Sequence, residues 1–253
     1  MLHAFSRTEM LIGTENLDKL KNSKIAVFGI GGVGTYVVEG LVRSGVENFV
    51  LVDDDDICLT NLNRQLHATR KTVGKAKVEV MKERILSINP KAKVETYREL
   101  FNAESSERLL KEDYDYVVDA IDMVSAKLHL VERCEALDIP IISSMGSGNK
   151  MNPAMFEVTD IYKTDVCPLA RIMRKELRKR KIKKLKVVYS KEEPLQPIQG
   201  ESNCNTDCIC TNKDRTCTAK RQIPGSMAFV PSVVGLIISS EIVKDIISYK
   251  EVK

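Results

Sequence analysis

The stretch Ile25-Ala-Val-Phe-Gly-Ile-Gly-Gly-Val-Gly34 restricts the fold more than any other part of the chain. Residues 25–28 form an uninterrupted apolar run, the pattern of a parallel strand covered on both faces. Gly29, Gly31 and Gly34 then fall on G-x-G-x-x-G spacing, with Gly32 between them. In such a turn one glycine makes the bend, one lets backbone approach a phosphate, and one packs the following helix on the strand. A helix starting near Val33 would present free N–H groups and its positive dipole end to that phosphate. A second apolar run, 49–52, ends in Asp53, at the distance where an acid meets a ribose. Together these features predict a nucleotide site on an α/β sheet.

A chain of 253 residues can bury one large core or two small ones. It shows no signal peptide and no apolar run long enough to cross a bilayer; the best candidate, 227–247, contains Pro231 and Glu241. A soluble cytoplasmic protein is therefore expected. In that compartment the seven cysteines would stay reduced, which favours packing or metal binding over disulfides.

Residues 2–20 carry a helical apolar pattern through Met10, Leu11, Leu17 and Leu20, with Arg7 near the start. Helices are expected at 36–44, capped by Gly45, and at 75–87, 104–111, 126–137 and 232–247. Strands are expected at 49–52, 93–98, 116–122, 140–144 and 227–230. Beyond the ribose-binding strand lies Asn61-Leu-Asn-Arg-Gln65, which adds Asn61, Arg64 and Gln65 farther along a phosphate chain. Lys77, on the next helix, supplies a second cation. A triphosphate reacting at its α-phosphate needs such a clamp, because charge builds on departing pyrophosphate. Asp122, ending an apolar strand, suits magnesium at the phosphates or a helix N-cap. Asp119 reads as structural.

The glycine turn, Asp53, the 61–65 tract, Lys77 and the acidic turn at Asp122 together resemble the ubiquitin-activating-enzyme-like superfamily. Its members adenylate carboxylates. The resemblance covers nearly the whole chain and implies one ATP-binding domain over 1–253, with a Rossmann-like, doubly wound, mostly parallel sheet and helices on both faces. It further implies ATP with magnesium on Asp122, and a homodimer in which Arg7 reaches the neighbouring subunit's ATP phosphates.

The chain departs from the carrier-protein activators of that superfamily after the turn at Met145–Gly148. It lacks their two C-x-x-C zinc pairs, and Cys167 stands before Pro-Leu-Ala where an aspartate often does. Instead, ten of the eleven charges in 171–186 are positive. Arg171, Arg174, Lys175, Arg178, Lys181 and Lys184 are candidate contacts to RNA phosphate, since a one-sign stripe repels itself unless it meets an anion. A solvated face and an acidic protein partner are the other readings. Cys204, Cys208, Cys210 and Cys217 match no usual zinc spacing; a metal site, a redox-sensitive loop and a catalytic thiol all remain open there.

With the basic stretch and Lys220-Arg-Gln-Ile-Pro-Gly-Ser226, the sequence is similar to the dehydratase branch that acts on threonylcarbamoyladenosine beside the anticodon of tRNA. That branch adenylates the threonine carboxylate and cyclises the side chain, releasing AMP and pyrophosphate. The segment 163–222 would form its substrate side, and a sulfur-transfer protein is a further partner to be considered. The competing classes are an activator of a small ubiquitin-like or sulfur-carrier protein, and a nucleotide-binding module that holds RNA without chemistry.

Overall fold

The computed structural model describes residues 2–198 and 224–250. The expected helix at 2–20 is two helices, α1 (Ser6–Ile12) and α2 (Thr14–Asn22). Gly13 separates them at φ +82°, a conformation that needs glycine. There follow β1 (Lys24–Phe28), α3 (Gly34–Ser44), β2 (Asn48–Val52), α4 (Lys77–Ile88), β3 (Lys93–Tyr97) and a single turn, α5 (Ser106–Leu109). The second half holds β4 (Tyr116–Asp119), α6 (Val124–Ala136), β5 (Ile141–Ser144), β6 (Phe156–Asp160), α7 (Pro168–Lys179), β7 (Lys186–Ser190) and α8 (Phe229–Ile246).

The sheet order is β3-β2-β1-β4-β5-β7-β6. All neighbouring strands run parallel except β6 and β7, whose antiparallel pairing the residue pattern does not predict. Alternation along the strands divides the core. Ile25 and Val27 join Val37, Val38 and Leu41 of α3, Met81 of α4 and Val234 of α8 on one face. Ala26 and Phe28 join Leu109 of α5 and Leu130 of α6 on the other. A third cluster packs α6 and α7 on β7 through Val131, Met173, Leu177 and Val187. Helices thus cover both faces, as expected for this fold class. Among the described residues no helix is long and apolar enough to cross a membrane.

Four boundaries differ from expectation in ways that matter below. Residues 227–230 are not a strand; they lead into α8, where Pro231 sits in the first turn and sacrifices no intrahelical N–H bond. Strand β4 ends at Asp119, so Asp122 lies on the turn beyond it. The N-cap of α6 is Met123, so Asp122 does not cap that helix. The basic stretch is likewise divided: α7 stops at Lys179, Lys181 takes φ +59°, and Lys186 already begins β7.

Helix α8 crosses α3 closely because residue 235 has no side chain. A Cβ there would lie 2.6 Å from the Val33 carbonyl oxygen and 2.7 Å from Tyr36 Cβ. Gly235→Ala gains about 1 kcal/mol of helix propensity but forces the helices apart, an overpacking cost of about 1–3 kcal/mol. We expect no net gain and up to about 2 kcal/mol of net destabilisation, read as a thermal midpoint lowered by about 2–4 °C per kcal/mol. A variant more stable than wild type would mean that the crossing is loose.

Candidate nucleotide-binding site

The chain runs outward from β1 through β2 to β3, then returns to build β4 and β5 on the other side of β1. An open α/β sheet has its crevice where the strand order reverses, beyond the carboxyl ends of the strands. Here that is the ends of β1 and β4, where a cavity of ≈ 670 Å³ opens. Its walls include Gly29, Gly31, Gly32, Asp53, Asn61, Arg64, Gln65, Lys77 and Asp122. The volume lies in the range of cofactor sites, roughly 300–1,000 Å³.

Each glycine of the turn has a separate reason. Gly29 has φ +94°, and a Cβ on it would meet the Ala120 carbonyl oxygen at 2.5 Å. A Cβ on Gly34 would strike the Gly29 carbonyl. Gly31 is open on the Gln65 side, its nearest neighbour the Gln65 amide nitrogen at 3.9 Å. The bend and the helix packing thus fall to Gly29 and Gly34 as the motif predicts, and Gly31 is left open.

The turn is held from two sides. The Ile30 N–H donates to Asp53 Oδ2 at 2.6 Å, and the Ile30 carbonyl accepts from His67 Nε2 at 3.0 Å. A second link runs from Leu66 N to Thr35 Oγ1 at 3.4 Å. These bonds attach the 61–67 tract to the glycine turn. Gln65 is 7% exposed on the cavity wall, and its buried Oε1 has no partner among the described residues. A buried acceptor left in this way is costly, and a donor on a bound ligand would satisfy it. Asn61 turns Oδ1 back to the Cys58 N–H, which rigidifies the loop. Arg64 donates through Nη1 to the Thr60 carbonyl and to Asn63 Oδ1.

Lys77 reaches the cavity, but it is not a bare phosphate cation. Its Nζ lies 2.6 Å from Asp55 Oδ2 and 3.4 Å from Asp53 Oδ1, and the residue is 5% exposed. Burial disfavours its charge, but the two carboxylates more than offset this and raise its pKa above the usual lysine value. Asp53 accordingly faces a lysine as well as the turn. Asp55 was hidden in the sequence by the run of four aspartates, which gives no register. Asp122 belongs to the turn after β4 and is exposed on the cavity wall. A carboxylate is a suitable ligand for a hard cation at a phosphate, and Asp53 and Asp55 share the Lys77 ammonium.

Other expected residues lie elsewhere. Arg7 is exposed on α1 and is not among the cavity residues of its own chain. On α7, Ala170, Met173 and Leu177 face inward, while Arg171, Lys175 and Arg178 are exposed. Arg174 corrects the expectation of a uniform cationic face: its Nη1 is turned inward to the Thr164 carbonyl (2.7 Å) and hydroxyl. Lys181 and Lys184 are exposed beyond the helix. Cys167 is the buried N-cap of α7. Cys204, Cys208, Cys210 and Cys217, with Lys220, lie outside the described residues.

The geometry defines a class: an α/β nucleotide-binding protein whose glycine turn is linked to an Asn-Arg-Gln tract and faced by an acidic turn. The chain belongs to the ThiF family, which it matches over residues 5–253. It is 44% identical over 257 residues, covering 100% of this chain and 98% of the relative, to the tRNA threonylcarbamoyladenosine dehydratase of Bacillus subtilis. The crystal structure of the E. coli tRNA N6-threonylcarbamoyladenosine dehydratase TcdA with AMP superposes with TM-score 0.84 at 32% identity, covering 97% of this chain and 94% of that one. The same protein with ATP gives TM-score 0.83.

His67 carries a pH signature. It is 4% exposed, and burial first, then the Lys77 charge, push its pKa from 6.5 to about 4. The unfolded chain therefore binds a proton below pH 6.5 that the native chain refuses until about pH 4, so stability falls as pH drops through that window. We expect His67→Gln, which keeps an N–H donor, to lose about 2–3 kcal/mol less than wild type between pH 7 and pH 4.5. Parallel urea unfolding curves for the two proteins at both pH values would contradict this.

Proposed function

We propose that the protein is an ATP-dependent tRNA threonylcarbamoyladenosine dehydratase: it activates the threonine carboxylate of that nucleoside and promotes cyclisation of the side chain. The observation that carries this reading is the glycine turn bonded to Asp53 and His67, lining one cavity with Asn61, Arg64 and Gln65, in a chain 44% identical over its whole length to a protein of that name. ATP, when bound, supplies the adenylyl group that makes a carboxylate oxygen a leaving group, so pyrophosphate and then AMP depart. An atom of the same side chain closes the ring, and the modified nucleoside loses one water. That closure is intramolecular and has a high effective concentration, so the protein has chiefly to position.

The residues divide that task. The N–H groups of the glycine turn and the start of α3 bind phosphate. Arg64 neutralises charge on the departing pyrophosphate, and Asp122 would hold magnesium, which would supply further positive charge there. Asp53 anchors the ribose end, and Lys77 keeps Asp53 and Asp55 from repelling the triphosphate. The whole chain acts as one ATP-binding unit, in the cytoplasm where tRNA resides. The first test is mass spectrometry of tRNA nucleosides after incubation with protein and ATP. The expected product is lighter than threonylcarbamoyladenosine by one water and requires ATP; unchanged nucleoside refutes the reading. Arg64→Ala and Asp122→Ala should each lower the rate by about 10²-fold or more while the fold is kept.

Helix α7 begins at the cavity, where Leu169 forms part of the wall, and runs 12 residues away from it. That is about 18 Å of helix, with Arg171, Lys175 and Arg178 on its exposed side. Lys181, Lys183 and Lys184 continue the cationic surface. We assign this track to the tRNA backbone. Neutralising Arg171, Lys175 and Lys184 should flatten the plot of log affinity for tRNA against log salt by about 0.7–0.9 for each phosphate no longer neutralised. ATP affinity should hold. An unchanged slope would move the RNA path elsewhere.

The homodimer and the role of Arg7 form one proposal. Met10 and Leu11 are 87% and 86% exposed on the short helix that carries Arg7, an apolar surface that a second copy would cover. A twofold axis would then set Arg7 over the partner's phosphates. Mixing Arg7→Ala subunits with Asp122→Ala subunits should restore about a quarter of wild-type activity, because half of the dimers are mixed and each holds one intact site. Confirmed subunit exchange without recovery would exclude action in trans.

A further inference from the structure

Directly behind Asp122 lies a charge pair that nothing in the proposed chemistry uses. Lys127 of α6 and Asp119 at the end of β4 both have 0% side-chain exposure, and Lys127 Nζ lies 2.9 Å from Asp119 Oδ2. Asp119 Oδ2 also accepts from the Ser143 hydroxyl on β5. The remaining bonds of the pair converge on one residue's backbone. Asp119 Oδ1 accepts from the Ile121 N–H at 3.2 Å, and Lys127 Nζ donates to the Ile121 carbonyl at 3.1 Å.

Burying two charges here is a poor way to gain stability. Desolvation consumes most of the attraction, and apolar residues of similar volume commonly do as well or better. What an apolar pair cannot do is fix both polar atoms of Ile121. The carbonyl of Ile121 belongs to the peptide bond whose nitrogen is that of Asp122. Lys127 therefore fixes the plane from which the Asp122 side chain departs. The neighbouring Ala120 N–H is bonded to the Phe28 carbonyl at 2.8 Å, which ties the same turn to β1 just before the glycine bend.

We infer that Lys127 is a positioning residue for the proposed reaction: with Asp119 it locks the Ile121 backbone so that Asp122 meets the metal-bound triphosphate in one orientation. The inference rests on the reading of Asp122 as the magnesium ligand. Lys127 itself touches neither nucleotide nor metal, and it acts through Asp122.

The test must separate positioning from folding. Lys127→Met alone strands the Asp119 carboxylate in the core and is expected to fold poorly. Asp119→Asn/Lys127→Met removes both charges, keeps an acceptor for the Ile121 N–H, and deletes the donor to its carbonyl. The readout is calorimetric binding of ATP by the full chain, with magnesium chloride and with chelator. The double variant should keep a cooperative thermal transition and wild-type ATP affinity in chelator. It should lose about tenfold or more of the magnesium-dependent gain in ATP affinity, as when a group that orients a metal ligand is removed. Adding Asp122→Ala to the double variant should cost nothing beyond what Asp122→Ala costs alone, because groups that act through one another are not additive. A double variant with the full magnesium-dependent gain would overturn the inference, as would a triple variant whose loss is the sum of the separate losses. If Asp122→Ala by itself leaves the magnesium dependence intact, the assignment of Asp122 fails and this inference with it; an effect of Asp122→Ala without one from the double variant removes the role of Lys127 alone.

Discussion

The contact on which the site depends is between two backbones. Gly29, at the end of β1, lies against the Ala120 carbonyl at the end of β4, with no room for a Cβ between them. The two strands separate at this point, and the chain on each side leads to half of the site. From β1 the chain enters the glycine turn and α3. From β4 it enters the turn that carries Asp122. The approach brings the two halves to a common origin, and each half is then clamped separately. Asp53 and His67 grip the Ile30 backbone on one side, and Asp119 and Lys127 grip the Ile121 backbone on the other.

These clamps explain why so much charge is buried where an α/β core is otherwise aliphatic. Lys77, Lys127, Asp53 and Asp119 are neither exposed to solvent nor placed to maximise stability, since a buried pair contributes little beyond an apolar pair of similar size. Their common feature is that each group bonds a backbone atom of a cavity turn or neutralises a residue that does. A cavity that receives a highly charged ligand benefits from polar walls that do not reorganise when it arrives.

Much of the architecture was legible from the sequence because it rests on local signals. The glycine spacing and the apolar runs 25–28 and 49–52 give β1, the turn, α3 and β2 without long-range information. The signals failed where tertiary contacts decide. The apolar residues 227–230 suit a strand or a helix by period alone, and packing of α8 on α3 settles the matter. Arg174 carries the same charge as Arg171, and only the helix phase places it against Thr164. Lys127 and His67 gave no signal, because an isolated lysine or histidine in a helix or loop reads as surface until its partners on other strands are known. Asp55 was obscured by its neighbours. The sequence thus indicated the residues of the cavity wall better than those that hold them in place.

Between the two described parts of the chain, the fold closes on itself at Asn149. This residue, at φ +57°, accepts from the Leu195 N–H through its carbonyl at 2.8 Å. It also holds Gly225 twice, from its own N–H to the Gly225 carbonyl at 2.8 Å and from the Gly225 N–H to its Oδ1 at 2.7 Å. One asparagine therefore ties off both the departure and the return of everything between Leu195 and Gly225. The neck is closed within the fold, and what it encloses is topologically a cassette. For any loop closed at such a neck, closure entropy grows slowly with length, by about 0.6 kcal/mol for each doubling. The same residue thus holds both ends of the neck, and losing it would release Leu195 and Gly225 together.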